Sequence, residues 1–218
     1  MSCKPPQAPN PAPSRDMYIP SAFEVKDAGK IAEVISSNSF ATLISKDGDS
    51  LFASHLPFLH RPDQGAKGKL ISHMAKANRH WQLLNEKDES LVIFNGPHAY
   101  ISPNWYATEV AVPTWNYVSI HVYGIPRIME TDAELNAVLD ETVKKHEFGL
   151  PDPWTPNLPD ELKARLHQAI VGFEIEITRI EAKFKLGQNR SKEDQEKMLL
   201  MLQNSGEAES IRLAKLMV

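Results

Sequence analysis

Segments that alternate between apolar and polar residues predict the strands of a sheet. The clearest runs from Val171 to Leu186, where Phe and Ile alternate with Glu and Thr. Five further segments have the β-branched and aromatic content of strands: Phe40 to Ser45, Leu51 to Leu59, Lys69 to Ala75, Leu91 to Phe94 and Trp115 to Met129. A hairpin turn at positions 46 to 49 joins the first two. The last is one long strand, or two joined near Gly124 to Pro126.

Apolar residues at helical spacing, together with capping residues, predict helices on both sides of the strands. Asp27 is the N-cap candidate of an early helix. Three later patterns are one capped by Thr131 or Asp132, one over Asp160 to Gln168, and one that begins at Ser191 with capping-box spacing to Asp194. The order of about six strands and these helices predicts an α+β fold. We expect an antiparallel β-barrel with peripheral helices and a C-terminal helical segment.

The prolines set the expected domain organisation. Five of the 16 lie within the first 13 residues, in a segment without any aromatic or β-branched residue. Such a segment cannot bury enough apolar surface to fold, so residues 1–16 are predicted to be a disordered tail. Four more prolines lie between positions 151 and 159 and predict a surface loop. A domain boundary there would separate the strand at 171–186 from its partners, so residues 17–218 are predicted to form a single domain.

Composition and charge exclude several classes of protein. A net charge of -4 in 218 residues argues against a protein whose main function is to bind nucleic acid. The single cysteine lies in the proline-rich tail, which disfavours a disulfide or a metal cluster. No apolar stretch approaches the roughly 18 residues that span a bilayer, so the protein is expected to be cytoplasmic. The glycine-rich loops of the common dinucleotide and nucleoside triphosphate sites are absent from the sequence.

Polar and aromatic residues concentrate in four segments: Ser54 to Phe58, His73 to Trp81, Gly96 to Tyr106 and Val112 to Tyr117. Three of the four Trp and three of the five Tyr lie between positions 81 and 117. Aromatic walls with interspersed polar groups suit a flat heteroaromatic ligand, because ring faces stack while polar groups set the orientation. Roles in the core or in an interface are an equally good interpretation of these aromatic residues.

Histidines and basic residues supply further candidates. Five histidines fall in or near these segments, at positions 55, 73, 80, 98 and 121, but none has metal-ligand spacing, and we predict no metal site. Histidines that orient neighbouring groups by hydrogen bonds are favoured over metal ligands. A histidine that acts as a general base is a second interpretation, because imidazole titrates near neutral pH. Lys76, Asn78 and Arg79 form one cluster that could hold a phosphate, and Lys183, Lys185 and Arg190 form another. The second cluster is also compatible with the solvent face of a strand.

The four segments, together with Met17-Tyr18-Ile19-Pro20 and Lys183-Phe-Lys185-Leu-Gly187-Gln188-Asn189-Arg190, resemble the PaiB-type FMN-binding negative transcriptional regulators. The resemblance begins at Met17 and leaves only the proline-rich tail uncovered. It implies a flavin-binding split barrel and a homodimer with FMN at the subunit interface.

The resemblance also implies roles for individual residues. The ring-bordering residues are His55, Pro57 and Phe58, and the phosphate-binding residues are His73, Lys76 and Asn78. Thr114, Trp115 and Asn116 would line the site across the interface, with Lys185, Gln188 and Asn189 closing it. The family tends to have Ser before Gln-Asn, where this chain has Gly187. A missing hydroxyl would weaken phosphate binding, and the amide of Gly187 could partly replace it.

Three functions stay open from the sequence. The resemblance favours a flavin-dependent regulator, although the acidic charge argues against direct DNA binding. A flavin site lined by His and Trp would also suit an oxidoreductase that takes reducing equivalents from NAD(P)H. A related branch of split barrels handles haem, for which His73, His98 or His121 would be candidate axial ligands.

Overall fold

The chain folds around one sheet, and the computed structural model describes residues 16–217. Within them lie seven strands: β1 Phe40–Asp47, β2 Ser50–Pro57, β3 Leu59–Arg61, β4 Lys69–Ala75, β5 Ser90–Ile101, β6 Thr114–Ile128 and β7 Ile170–Lys185. The same residues form five α-helices: α1 Ala28–Ser37, α2 Asp132–Glu147, α3 Asp160–Gln168, α4 Lys192–Gln203 and α5 Ala208–Lys215. Short 3-10 helices lie at Ser21–Phe23, Arg79–Leu83 and Pro103–Trp105. The predictions for the tail and its cysteine lie outside the described residues, except at Asp16.

The sheet runs in the order β2-β1-β5-β6-β7-β4-β3, and every neighbouring pair is antiparallel. Strands β2 and β4 are not neighbours in this order, yet the hydroxyl of Ser72 on β4 donates a 2.6 Å hydrogen bond to the carbonyl oxygen of Pro57 on β2. A side chain thus bridges the gap that a ladder of backbone hydrogen bonds would close in a complete barrel. The predicted α+β split barrel is confirmed.

The core fills the barrel and extends to three helices. Phe58 packs edge-on against Phe94 and Phe173, with ring centroids 6.0 and 6.1 Å apart. Alternate residues of the long strands point inward beside them, as the period of two predicted. The apolar stripes of α1, α4 and α5 bury residues such as Ile35 and Leu213 in the same core. These helices therefore pack against the core-facing side of the sheet.

Several element boundaries differ from the sequence prediction. Strand β5 continues through Gly96 and Pro97 to Ile101, across a register shift between Asn95 and His98. The expected strand from Leu51 to Leu59 is two strands, β2 and β3, separated by Phe58. The C-terminal helical pattern resolves into α4 and α5.

Strand β6 is one strand, and glycine permits its close approach to β7. The register shifts at Tyr123 and Gly124, and a Cβ at Gly124 would overlap the carbonyl oxygen of Glu176. The kink expected near Gly124 to Pro126 is therefore a bulge within a continuous strand.

Capping residues define the helix starts as expected. Asp27 accepts a hydrogen bond from the amide of Lys30, and Thr131, rather than Asp132, caps α2 in a reciprocal capping box with Glu134. At α4, Ser191 caps the amide of Asp194, but the carboxylate of Asp194 does not complete a capping box.

The carboxylate of Asp194 instead anchors a distant loop. It accepts hydrogen bonds from the amides of Ala107 and Thr108, at 2.8 and 3.1 Å, and from the hydroxyl of Thr108 at 2.8 Å. Asp194 is 2% exposed. Burial alone would raise its pKa, but the hydrogen bonds from Thr108, Ala107 and Ser191 together lower the pKa below the usual range of an aspartate. This contact ties α4 to the loop that precedes β6.

Substitution Asp194→Asn is expected to destabilise the protein most at neutral pH. Because the folded pKa is depressed, the charged carboxylate stabilises the fold above the ordinary aspartate pKa, and this contribution is lost as the pH falls through the folded value. The difference in urea midpoint between wild type and variant should therefore shrink between about pH 7 and about pH 3. The exposed Asp63 provides the control variant Asp63→Asn. A difference that does not change with pH would contradict a charge-based anchor.

The loop between α2 and α3 is exposed over residues 148–159, as its prolines predicted. After it, β7 pairs with both β4 and β6, so the chain returns to the sheet that it left. The extent of the domain as a whole stays a prediction. None of the helices within residues 16–217 is long and apolar enough to cross a membrane.

Candidate functional site

One face of the sheet points away from the core and carries part of the predicted site, including His55, Trp115 and Lys185. Across five neighbouring strands, the register places His55, Thr42, Ile93, His121 and Glu181 in one row on this outer face. All five are exposed or half-buried. This row is therefore a mixed surface of apolar and polar side chains.

An aromatic group lies at one end of the outer face. Tyr100 on β5 and Trp115 on β6 are paired across the strands, with ring centroids 6.0 Å apart, and they are 48% and 54% exposed. His98 lies beside them, with its ring centroid 6.1 Å from that of Trp115. Large exposed rings on adjacent strands provide flat apolar surface for a heteroaromatic ring.

Cations accompany these rings on β6 and β7. The amine of Lys185 donates a 2.5 Å hydrogen bond to the hydroxyl of Thr114. Burial lowers the pKa of Lys185, and the neighbouring charges of Lys183 and Arg190 lower it further, against the effect of Tyr117. In the part of the chain that the structure describes, none of these three cations forms an ion pair. The cluster thus has uncompensated positive charge that an anion would stabilise.

Lys183 is held in this cluster by the N-terminal segment. Its side chain is largely buried, and its amine donates a 2.8 Å hydrogen bond to the carbonyl oxygen of Tyr18. The amine also lies 5.2 and 5.3 Å from the ring centroids of Tyr18 and Tyr117, within cation–π range. The sequence flagged Lys183 only as a basic residue, and the part played by Tyr18 had no signal beyond its place in the Met17 to Pro20 motif.

Of the predicted amides, Gln188 shapes the turn after β7 and Asn116 is buried on β6. Gln188 donates from Nε2 to the carbonyl oxygen of Phe184 and accepts at Oε1 from the amide of Leu186, at 2.5 and 2.8 Å. Asn116 is 1% exposed, and its Nδ2 lies 3.2 Å from the sulfur of Met198. Asn189 is exposed on the same turn. Gln188 and Asn189 are exposed and Lys185 and Arg190 half-buried, so all four are accessible at this end of the chain, although both amide atoms of Gln188 are used within the turn.

A second group of predicted residues lies at the junction of β2 and β4. Asn78 donates a 3.0 Å hydrogen bond to the hydroxyl of Ser54 on β2 and accepts from the amide of His80 at 3.1 Å. Lys76 is exposed on the same turn, and His55 is exposed on β2 next to Phe40. The side chain of Asn78 is thus used to hold the turn against β2, while Lys76 and His55 remain available to a ligand.

His80 completes this network from the core side. Its Nδ1 lies 2.8 Å from the hydroxyl of Ser54, the residue is fully buried, and its Nε2 has no hydrogen-bond partner within the described residues. Burial, with a smaller contribution from Arg79, lowers the pKa of His80 to about 4. The neutral ring therefore orients Ser54 at neutral pH. Neither Ser54 nor His80 was among the predicted ligand contacts; the fold brings Ser54 beside Asn78, whereas His80 is only two residues from Asn78 in sequence.

The remaining predicted residues lie elsewhere. Phe58 is 1% exposed inside the barrel, and Pro57 accepts the hydrogen bond from Ser72 at the split. His73 lies on the other side of β4, in a pocket under α2 and α3. The haem candidates His98 and His121 lie on β5 and β6, apart from His73.

Lys76 and Lys185, which could each contact a cofactor phosphate, lie at opposite ends of β7 in one chain. Lys76 follows β4 and pairs through its amide with Ala169, just before β7, whereas Lys185 ends that 16-residue strand. A strand of that length spans up to about 50 Å when straight. We refer to the two groups as the β2–β4 group (His55, Lys76 and Asn78) and the β6–β7 group (Thr114, Trp115, Lys185, Gln188 and Asn189).

The chemistry of the β6–β7 group fits FMN. The unpaired amine of Lys185, with Arg190 nearby, matches a phosphate, and the exposed rings of Trp115 and the adjacent Tyr100 match an isoalloxazine ring. Within residues 16–217 no group of three or more His, Cys, Asp or Glu side chains is placed to hold a metal ion.

Comparisons with known proteins agree with this chemistry. Residues 17–179 match the family model described as "Putative FMN-binding domain". The chain is 36% identical over 204 residues to the "Protease synthase and sporulation protein PAI 2" of Bacillus subtilis, across 92% of this chain and 96% of that protein.

Two solved structures share the fold. The flavocytochrome Anf3 from Azotobacter vinelandii superposes with a TM-score of 0.60 at 15% identity, over 79% of this chain and 74% of that one. The FAD and heme binding protein from Mycobacterium smegmatis gives 0.56 at 13% identity, over 75% and 73%. Matches at this identity bear on the fold alone, whereas the family model and PAI 2 cover most of the sequence. This chain therefore belongs to the FMN-binding split-barrel family of PaiB-type proteins.

Proposed function

We propose that this protein is a homodimeric flavin-dependent regulator that binds FMN between the β2–β4 group of one subunit and the β6–β7 group of the other. The observation that carries this proposal is the placement of unpaired cations at opposite ends of β7. We infer from this placement that Lys76 and Lys185 of one chain contact two different cofactors. A two-fold axis across the outer face would bring each group against the other group of its partner.

The outer face has the composition of a subunit interface. Phe40 is 68% exposed, Leu51 74% and Trp115 54%, and half-buried residues such as Ile44 and Ile93 lie between them. Exposed apolar surface of this extent on a regular sheet favours association with another protein surface. A second copy of the chain is the partner that also completes the cofactor site.

Each group has a distinct part in holding FMN. Lys76 and Lys185 supply positive charge for the phosphate, and Trp115 with Tyr100 supplies the ring surface. The Ser54, Asn78 and His80 network holds the turn that carries Lys76, and Gln188 holds the turn after Lys185. When bound, FMN supplies a centre that accepts and returns electrons.

The regulatory role rests on the relationship to PAI 2, whose name links it to protease synthesis and sporulation. With -4 charge per chain, a dimer has twice that charge, which disfavours direct binding to the phosphates of DNA. We propose that the protein acts in the cytoplasm on a protein partner. The oxidation state of the bound flavin would determine how it acts on that partner. Promoter DNA that is retained specifically at high salt would contradict this indirect action.

Purified protein is expected to carry or take up FMN, and Lys76→Ala is expected to weaken that binding. Loss of one charge-assisted hydrogen bond to the phosphate would cost about 1.5 to 3 kcal/mol, which is at least about tenfold in Kd. Quenching of flavin fluorescence during titration measures the Kd. Lys87→Ala, at an exposed lysine away from both groups, is the matched control and should leave the Kd unchanged.

Two outcomes would count against the proposal in different ways. A colourless protein that also fails to take up added FMN would remove the cofactor. Wild-type affinity in the Lys76→Ala variant would remove only Lys76 from the phosphate site.

A further inference from the structure

A pocket of about 580 Å³ lies outside both cofactor-facing groups, between α2, α3 and the adjoining ends of β4 and β7. The loop between the two helices forms its outer wall. The apolar part of its lining comprises Leu139, Val143, Trp154, Leu158, Leu166 and Ile170. Its volume lies within the range of about 300 to 1,000 Å³ that is usual for small-molecule sites.

Polar side chains line the same pocket without partners of their own. Asp140, Asp160 and Lys163 are exposed, and they form no ion pair with any other residue that the structure describes. His73 lies at the sheet side of the pocket, and burial lowers its pKa, so the ring is neutral at neutral pH and can both donate and accept. A few unpaired polar groups in an apolar pocket are the usual means of orienting a ligand.

The charge of the lining indicates which ligand fits. Two carboxylates and one amine leave an excess of negative charge, whereas the phosphate of FMN is itself an anion. The cation clusters described above are therefore better placed for FMN than this pocket is. A flat apolar molecule with a cationic group would satisfy both the apolar wall and the free carboxylates.

We propose that this pocket binds a second, small organic ligand with an aromatic body and a single positive charge. The ligand would contact His73, three positions before Lys76 on the strand and turn that lead to the proposed flavin site. Binding there provides a route by which a small molecule modulates the flavin site. This proposal does not require the protein to bind FMN.

Tryptamine and indole-3-acetate, which share a ring and differ in charge, are suitable probes in isothermal titration calorimetry. Tryptamine is expected to bind saturably, at least about fivefold more tightly than indole-3-acetate. Val143→Trp, which fills the pocket from α2, should weaken tryptamine binding by at least about tenfold. Ala137→Trp on the exposed face of the same helix is the matched control and should bind as the wild type does.

A variant at an exposed position guards against misfolding. Leu166 is 47% exposed on α3, so Leu166→Glu should leave the fold intact. Leu166→Lys at the same position adds the opposite charge, and it should weaken tryptamine binding more than Leu166→Glu does. Tryptamine that binds Val143→Trp as well as it binds the wild type would overturn the site, and tighter binding of indole-3-acetate would overturn the ligand class.

Competition with FMN separates this proposal from the proposed function. When FMN is present at a saturating concentration, tryptamine should still bind saturably. Displacement of tryptamine by FMN, with the same stoichiometry, would mean that the pocket holds the flavin and would overturn a second site. If the protein binds no FMN at all, tryptamine binding is still measured directly, so the two proposals can fail independently.

Discussion

Subunits with Lys76→Ala and subunits with Lys185→Ala are expected to restore FMN binding to each other in a mixed dimer. Each homodimer would lack one phosphate-facing cation at both of its sites. In the mixed dimer, one site would contain both substitutions and the other would contain neither. We therefore expect about half of the wild-type flavin content per dimer, because a two-fold axis generates two equivalent sites. Co-expression with two affinity tags, tandem purification and flavin absorbance would measure this content.

The reciprocal mixture is the matched control. A wild-type subunit paired with a subunit that carries both substitutions has the same number of lost lysines. In a shared site each of its two sites would lack one cation, so flavin binding should be as weak as in the homodimers. If the site lay within one subunit, this mixture would retain a complete site and the first mixture would not. The flavin absorbance of the two mixtures thus distinguishes the arrangements. A shared site gives flavin in the first mixture, and a site within one subunit gives flavin in the second.

Gly187→Ser is expected to lower the free energy of unfolding by about 2 to 5 kcal/mol. Gly187 has a φ of +86°, a conformation that L-residues adopt only with strain. A Cβ there would also overlap the methyl carbon of Met198, which is fully buried in the core. The turn that presents Lys185 and Asn189 would shift to relieve both effects. Urea denaturation measures the loss of stability.

Gly206→Ser separates the two causes. Gly206 has a similar φ of +75°, and no atom lies within 4 Å of a Cβ built there. This control should cost only the backbone strain, about 1 to 2 kcal/mol. Equal losses in the two variants would mean that Met198 moves aside, and that the turn tolerates a side chain.

Local patterns predicted the elements that depend on near neighbours in sequence. The period of two at 171–186 became β7, and Asp27, Thr131 and Ser191 cap their helices because a cap is a contact within three residues. The full length of β5 was missed, since Gly96 and Pro97 interrupt its strand composition. A Cβ at Gly96 would lie 2.8 Å from the Cβ of Val118, so close packing against β6 explains the glycine.

The candidate site likewise contains residues that sequence motifs identified and contacts that only the fold creates. Sequence motifs brought attention to Lys76, Asn78, Thr114 and Lys185, and the fold places the last two in direct contact. The motifs could not show that Asn78 forms a hydrogen-bond network with Ser54. Nor could they show that Asp194 anchors a loop far away in sequence. Both contacts join residues whose separation along the chain carries no periodic signal.

The sequence by itself determined the kind of fold, the family and the chemistry of a flavin site. These depend on strand and helix periodicity, on capping residues and on motifs in a fixed order, all of which are local. Only the tertiary structure decided that Lys76 and Lys185 lie at opposite ends of β7, and that His73 lies in a pocket under α2 and α3. Side chains adjacent in sequence point to opposite faces of a strand, so register and closure, rather than composition, decide which of them meet.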